Sequence, residues 1–183
     1  MEKFDVIVIG GGPGGYVAAI RAAQLGLKTA VVEKEHLGGI CLNWGCIPTK
    51  ALLKSAELLE KIKHADEFGI NVVKPNFDIE KIVARSRDVS TKLVGGIKGL
   101  LKKNKVTVFE GVAKIINPKL VSVASKDQNT SLEAKNIIIA TGARARVLDG
   151  FEPNGKNIWT YREALVPKSV PKSMIIVGSG AIG

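Results

Sequence analysis

Cysteine and histidine are nearly absent: the 183 residues contain two of each, and aromatic residues make up 5%. Two cysteines cannot complete a tetrahedral zinc site, and His36 and His64 add no usual ligand spacing, so no metal is expected. So few cysteines also exclude a disulfide scaffold of the secreted kind. Met1-Glu2-Lys3-Phe4-Asp5 runs straight into a strand pattern, with no signal or transit peptide, so a reducing compartment is expected: the bacterial cytoplasm or a mitochondrial matrix. No apolar run reaches membrane-spanning length, and no membrane partner is expected. The formal net charge of +10 would suit a nucleic-acid partner. Its lysines are dispersed, however, with local clusters only at 102–105 and 168–172, and no aromatic stacking pattern accompanies them, which leaves a solvated basic surface and no nucleic acid. An apolar content of 45% is ordinary for a globular protein, and the length suits one domain and the start of another.

What is present is concentrated in Gly38-Gly39-Ile40-Cys41-Leu42-Asn43-Trp44-Gly45-Cys46-Ile47-Pro48-Thr49-Lys50, which holds both cysteines. Five residues of regular helix rise about 7.5 Å. A disulfide needs Cα atoms roughly 4.4–6.8 Å apart, so Cys41 and Cys46 can join only across a distorted first turn. Gly45 and Pro48 sit where distortion is easiest, and Pro48, lacking an N–H, suits a first turn. A thiol there feels the positive helix end, and Lys50, one turn after Cys46, adds a second positive charge. These are the conditions for thiol–disulfide exchange. The alternative is a pair of inert buried cysteines, which the glycine and proline context disfavours.

Around this stretch the chain reads as nucleotide-binding apparatus. Phe4 to Ile9 is a buried parallel strand, Gly10-Gly11-Gly12-Pro13-Gly14-Gly15 a tight turn, Tyr16 to Leu25 a helix closed by Gly26, and Leu27 to Val32 a second strand followed by Glu33. In this βαβ opening Gly10 allows the turn, Gly12 lets the backbone approach a pyrophosphate, Gly15 permits close helix–strand packing, and Glu33 stands where a carboxylate meets a ribose hydroxyl. The cysteine helix continues to about Lys63, and residues 64–77 form a loop with His64 on its surface. A helix spans Ile79 to Leu101, where Gly95, Gly96 and Gly99 imply either a close approach to backbone or cofactor or a simple packing need. Residues 106–109, 112–116 and 120–123 read as an antiparallel meander, and Asn136 to Ala140 as a buried strand ending in Thr141-Gly142. Residues 144–172 form a connection with at most one short helix and Trp159 as a packing residue. Ser173 to Val177 is a further buried strand, running into a second fingerprint at Gly178, Gly180 and Gly183. Two fingerprints imply two dinucleotides, and a flavin is the usual carrier able to trade electrons with both sulfur and nicotinamide.

These motifs resemble the class I pyridine nucleotide–disulfide oxidoreductases, and the Cys-x4-Cys stretch between Gly38 and Lys50 is highly specific for them. Within that family, Cys46 to Leu53 and Leu93-Val94-Gly95-Gly96-Ile97 are most similar to the members that oxidise dihydrolipoamide; glutathione and mercuric reductases come second, and a non-catalytic nucleotide-binding module third. The resemblance implies an α/β fold with a Rossmann-like FAD-binding domain over residues 1–145, including a small antiparallel meander. A connection over 146–172 and the start of a Rossmann-like NAD domain over 173–183 follow. It implies FAD on Gly10, Gly12, Pro13, Gly14, Gly15, Glu33, Lys34, Gly38, Gly39, Cys41, Lys50, Ala113, Thr141, Gly142 and Ala143, and NAD on Gly178, Gly180 and Gly183. Cys41 would be the interchange thiol and Cys46 the flavin-side thiol, in charge-transfer contact. The implied partners are a second copy of the full-length protein and the dihydrolipoyl domain and E2 core of a 2-oxo acid dehydrogenase complex. Ile40 and Trp44 stand where the family often has Thr and Val; the chemistry is expected to survive, with Trp44 reshaping the substrate side. Neither histidine has the surroundings of the family's acid/base histidine, which lies near the C-terminus and acts across a dimer interface. The chain therefore reads as an N-terminal part that binds FAD weakly or not at all and does not complete turnover alone. Assaying the purified chain for lipoamide-dependent NAD reduction checks this, and any turnover would contradict it.

Overall fold

A computed structural model describes residues 1–126 and 128–183. Two compact units emerge, residues 1–43 with 91–143, and residues 44–90 with 144–183.

The first unit is built on a six-stranded sheet. Its strands are β1 (Glu2–Ile9), β2 (Thr29–Glu33), β3 (Thr107–Glu110), β4 (Val112–Asn117), β5 (Leu120–Ala124) and β6 (Asn129–Ile139), in the order β3-β2-β1-β6-β5-β4. The apolar, β-branched run of β1 fits a strand covered on both faces. Phe4, Ile7, Ala30, Val32, Val121, Val123, Leu132 and Ala134 form one buried cluster, with Phe109 edge-on to Phe4 at 5.9 Å. Val6, Val8 and Val31 join a second cluster with Ala19 and Ala22 of helix α1 (Pro13–Gln24) and Leu101 of helix α4 (Ile79–Lys103). Ile7 and Val8 have no exposed surface. Each such side chain adds about 1.5–3 kcal/mol relative to exposure, so this double-sided core is the main term holding β1 central. Gly12 caps α1 in an extended conformation and Pro13 opens it, where a missing N–H costs nothing.

Two sequence expectations change. Residues 107–110 do not join a meander: β3 pairs in parallel with β2, Val31 opposite Val108 and Val32 opposite Phe109. Only β4, β5 and the first part of β6 are antiparallel. Gly111, at φ +156, breaks the chain between β3 and β4, and its N–H donates to the Glu33 carbonyl at 2.9 Å. The long β6 thus serves both parts, since Leu132 to Ile139 also pair in parallel with β1.

The second unit contains helix α3 (Cys46–Lys63), the first part of α4 and the short helix α5 (Tyr161–Ala164), the one helix of the expected connection. Pro48 and Ala51 are the buried residues of α3, Ser86 and Ser90 those of the first part of α4, and Arg85 Nη1 donates to the Ala51 carbonyl at 3.0 Å. Thr160 caps α5 in a capping box with Glu163. His64 lies exposed after α3, between Glu60 and Glu67. Residues 173–177 are not a buried strand: Ile175 is 91% exposed, and no described strand pairs with them, without which a strand does not form.

Gly95, Gly96 and Gly99 show no close approach, because a Cβ at each would meet nothing within 4 Å. Gly96→Ala is therefore expected to raise stability by up to about 1 kcal/mol through helix propensity. Urea unfolding checks this; a lowered midpoint would mean that the position is crowded after all.

Candidate functional site

Three glycine contacts shape the C-terminal edge of the parallel strands. Gly10 has φ +105, and a Cβ there would overlap the Ala140 carbonyl; a Cβ at Gly15 would overlap the Gly10 carbonyl. A Cβ at Gly39 would fall 2.7 Å from Gly12 Cα. The Gly38 N–H donates to the Gly11 carbonyl at 2.8 Å, which ties the 10–12 loop to the one before the cysteines. No side chain caps α1, and Gly12, Pro13 and Gly14 leave its N-terminal end uncovered. That end concentrates unpaired N–H groups and positive dipole, which is what a pyrophosphate needs.

Glu33 closes β2 beside this end. Its Oε2 accepts from the Gly11 N–H at 2.7 Å and its Oε1 from the Glu35 N–H at 2.7 Å. A carboxylate has about four acceptor sites, so capacity remains for a diol. Lys34 is exposed next to it. Ala113, half-buried opposite Val123, is two residues past Gly111, whose N–H is bonded to the end of β2. Thr141, Gly142 and Ala143 are exposed just after β6, where Ala140 donates to Ile9 at 2.8 Å and Gly142 has φ +70. The strand ends of β1, β2 and β6 thus bring Gly10, Gly12, Gly15, Glu33, Thr141 and Gly142 to one edge, where open α/β sheets take ligands.

Cys41 and Cys46 are joined in a disulfide. The expected distorted turn is a break between two helices: α2 (Gly39–Trp44) carries Cys41, α3 starts at Cys46, and Gly45 lies between at φ −151, ψ −118. Asn43 holds α2 by donating through Nδ2 to the Leu37 and Gly39 carbonyls at 3.0 and 2.9 Å. Cys41 is half-buried and Cys46 exposed; Pro48 is buried, and Lys50 is exposed one turn along α3. No side chain caps α3, which leaves its positive end at Cys46.

Sequence reasoning missed one cluster here. The guanidinium carbons of Arg87 on α4 and Arg162 on α5 lie 4.9 and 5.1 Å from the Trp44 ring centroid. Burial pulls the Arg87 pKa below its usual value. Trp44 Nε1 is buried without a hydrogen-bond partner among the described residues. No local pattern links residues so far apart in sequence.

At the second fingerprint Gly178 has φ +112, and a Cβ at Gly183 would overlap the Gly178 carbonyl, the relation Gly15 has to Gly10. Gly180 is exposed between them. Among the described residues no group of three metal-binding side chains converges, and no helix is long and apolar enough to cross a membrane.

The glycine-lined edge has the shape that takes a dinucleotide, and a disulfide at a helix start follows it in the chain. Residues 4–183 match the pyridine nucleotide-disulphide oxidoreductase family, and the chain belongs to it. It is 57% identical over its whole length to a dihydrolipoyl dehydrogenase of Zymomonas mobilis and 48% identical over 99% of its length to one of Bacillus subtilis. It spans 39% and 40% of those two proteins. Among solved structures it resembles LpdA of Mycobacterium tuberculosis, with a TM-score of 0.84, 25% identity, and 93% of this chain and 38% of that one covered. It also resembles the flavoprotein disulfide reductase RclA of Escherichia coli, with a TM-score of 0.66, 26% identity, and 81% and 31% covered.

Gly15→Ala is expected to destabilise the chain by at least about 1–3 kcal/mol, since the new methyl group has no room. Gly14→Ala, with nothing within 4 Å of its Cβ, should leave stability within about 0.5 kcal/mol. Thermal unfolding of the two variants checks this pair, and equal midpoints would refute it.

Proposed function

We propose that the protein containing these residues is an FAD-dependent enzyme that oxidises protein-bound dihydrolipoamide to lipoamide, with NAD+ as acceptor. The observation that carries this is the Cys41–Cys46 disulfide at a helix break, directly after two glycines packed on the dinucleotide loop. The names of the relatives in Zymomonas and Bacillus support the substrate.

The residues fit an FAD. The open end of α1 at Gly12, Pro13, Gly14 and Gly15 would take the pyrophosphate, with Gly10 shaping the turn. The spare acceptor capacity of Glu33 would take the ribose, with Lys34 and Ala113 beside it. Gly38, Gly39, Thr141, Gly142 and Ala143 offer backbone without bulk. When bound, the flavin supplies a two-electron link between sulfur and nicotinamide. Cys46, the more exposed of the two cysteines, would face it together with Lys50, and Gly178, Gly180 and Gly183 would begin the NAD site. On this reading residues 1–145 are the FAD domain, 146–172 a connection and 173–183 the start of the NAD domain. The full-length protein would work as a homodimer on the dihydrolipoyl domain and E2 core of a 2-oxo acid dehydrogenase complex, in a bacterial cytoplasm or mitochondrial matrix.

The sulfur chemistry follows from the chain's own groups. One substrate thiolate attacks Sγ of Cys41, the Cys41–Cys46 bond breaks, and Cys46 leaves as a thiolate favoured by the end of α3 and by Lys50. The second substrate thiolate attacks the mixed disulfide and displaces Cys41. Lipoamide is released, one substrate proton ends on Cys41 and the other in solvent. A second reading, a reductase of another disulfide, is favoured by the likeness to RclA.

Dihydrolipoamide added to the oxidised chain is expected to yield two alkylatable thiols per chain, at least tenfold faster than glutathione at equal thiol concentration. Glutathione opening the bond as fast would favour the second reading. If neither opened it, a non-catalytic module would remain.

A further inference from the structure

We propose that Trp44 is a positioning residue for the Cys46 sulfur, held in place by the guanidinium groups of Arg87 and Arg162. The inference rests on the reading of Cys41–Cys46 as a redox-active disulfide.

Trp44 ends α2, Cys46 begins α3, and only Gly45 separates them. Glycine lacks a Cβ, so this joint is the most pliable point between the two sulfurs. While the disulfide is closed, the covalent bond holds the joint. When it opens, that restraint is lost and the Gly45 joint can swing.

The groups stacked on Trp44 come from outside the two helices that carry the sulfurs. Arg87 comes from α4 and Arg162 from α5, with guanidinium carbons 4.9 and 5.1 Å from the indole centroid, inside the range of a cation–π contact. Arg162 is itself fixed. It lies 5.9 Å from the Tyr161 ring, its Nε donates to the Tyr161 hydroxyl at 3.4 Å, and the Thr160–Glu163 capping box holds the helix that carries it. Arg87 is half-buried, so its stack on the ring is partly shielded from solvent. Trp44 Nε1 makes no hydrogen bond among the described residues, so it is the ring face, not the N–H, that anchors the residue. The residue before Gly45 is therefore stacked on groups of the unit that holds Cys46, and Cys41 lies one turn before it on α2. A thiol pair kept at short range recloses more readily, so the anchor raises the effective concentration of one sulfur at the other.

The test is the equilibrium of the chain with glutathione: protein disulfide plus two glutathione gives protein dithiol plus one glutathione disulfide. Trapping and mass analysis across a series of redox buffers give the constant. Trp44→Leu is expected to shift it toward the dithiol by about three- to tenfold, the loss expected for two partly desolvated cation–π contacts. Trp44→Phe, which keeps a ring face and drops only the unpartnered N–H, is expected to stay within about twofold, and Arg162→Gln to fall between. An equilibrium for Trp44→Leu equal to that of the parent would overturn the inference, as would Phe and Leu variants shifted alike. If Trp44→Leu does not fold by circular dichroism, Arg162→Gln decides, and no shift there overturns the proposal. If the parent disulfide does not exchange with glutathione or with dihydrolipoamide, the redox reading fails and this inference fails with it. A parent that exchanges beside an unshifted variant removes the positioning role alone.

Discussion

Backbone lying directly on backbone is the constraint on which the rest of the first unit depends. At three places, Gly15 on Gly10, Gly10 on Ala140 and Gly39 on Gly12, a single methyl group would collide with main-chain atoms that cannot move aside. Close packing makes such contacts all-or-nothing, because interiors transmit strain instead of absorbing it. The contacts let α1 start at the very end of β1 and let the loop before the cysteines rest on residues 10–12. Glu33 completes the arrangement. Its carboxylate bonds the Gly11 and Glu35 amides, so the group suited to a ribose also braces the loop suited to a pyrophosphate. A charged acceptor on backbone N–H groups is among the stronger hydrogen bonds, which makes this brace stiffer than a water-filled gap.

The same economy applies to sulfur. A continuous helix would hold Cys41 and Cys46 too far apart, so the chain breaks at Gly45 and restarts at Cys46. The break has a chemical consequence. A helix start at Cys46 places unpaired N–H groups and positive dipole beside its sulfur, which favours a thiolate there over one at Cys41. Asn43 ties α2 to the Leu37 and Gly39 carbonyls, so the helix that carries the half-buried Cys41 is held to the loop before it.

How much of this the sequence discloses depends on whether the cause is local. The βαβ opening is legible because β1 and β2 are apolar runs and because Gly10, Gly15 and Pro13 each have one conformational job. The break at the cysteines is half legible: the spacing demands distortion, but only the structure shows two helices. The partner of β3 is not legible. Residues 107–110 look equally fit for a meander or a parallel edge, and what decides is the turn at Gly111, anchored to a carbonyl of a strand far back in the chain. The bare glycines of α4 mislead for the same reason, since a glycine signals permission for close approach and not the approach itself. Arg87 and Arg162 carry no signal of their own, because a stack on Trp44 exists only once three separate segments have met.

The two fingerprints separate what glycine does locally from what pairing does. Gly178 and Gly183 repeat the relation of Gly10 and Gly15, with φ +112 against +105 and the same collision of a would-be Cβ with the first glycine's carbonyl. Yet Ser173 to Val177 pair with no described strand and Ile175 is exposed, while Phe4 to Ile9 lie at the centre of a sheet. The turn therefore forms without the sheet, from residues within six positions of one another. What the first copy has in addition comes from tertiary pairing: Glu33, delivered by β2, and Ala140, delivered by β6, both against the glycine loop. A glycine motif thus specifies a loop shape, and a paired parallel sheet turns that shape into a site by bringing an acid and a second strand end to it. That is why the same six-residue pattern is weak testimony alone and strong testimony when strands and a carboxylate stand around it.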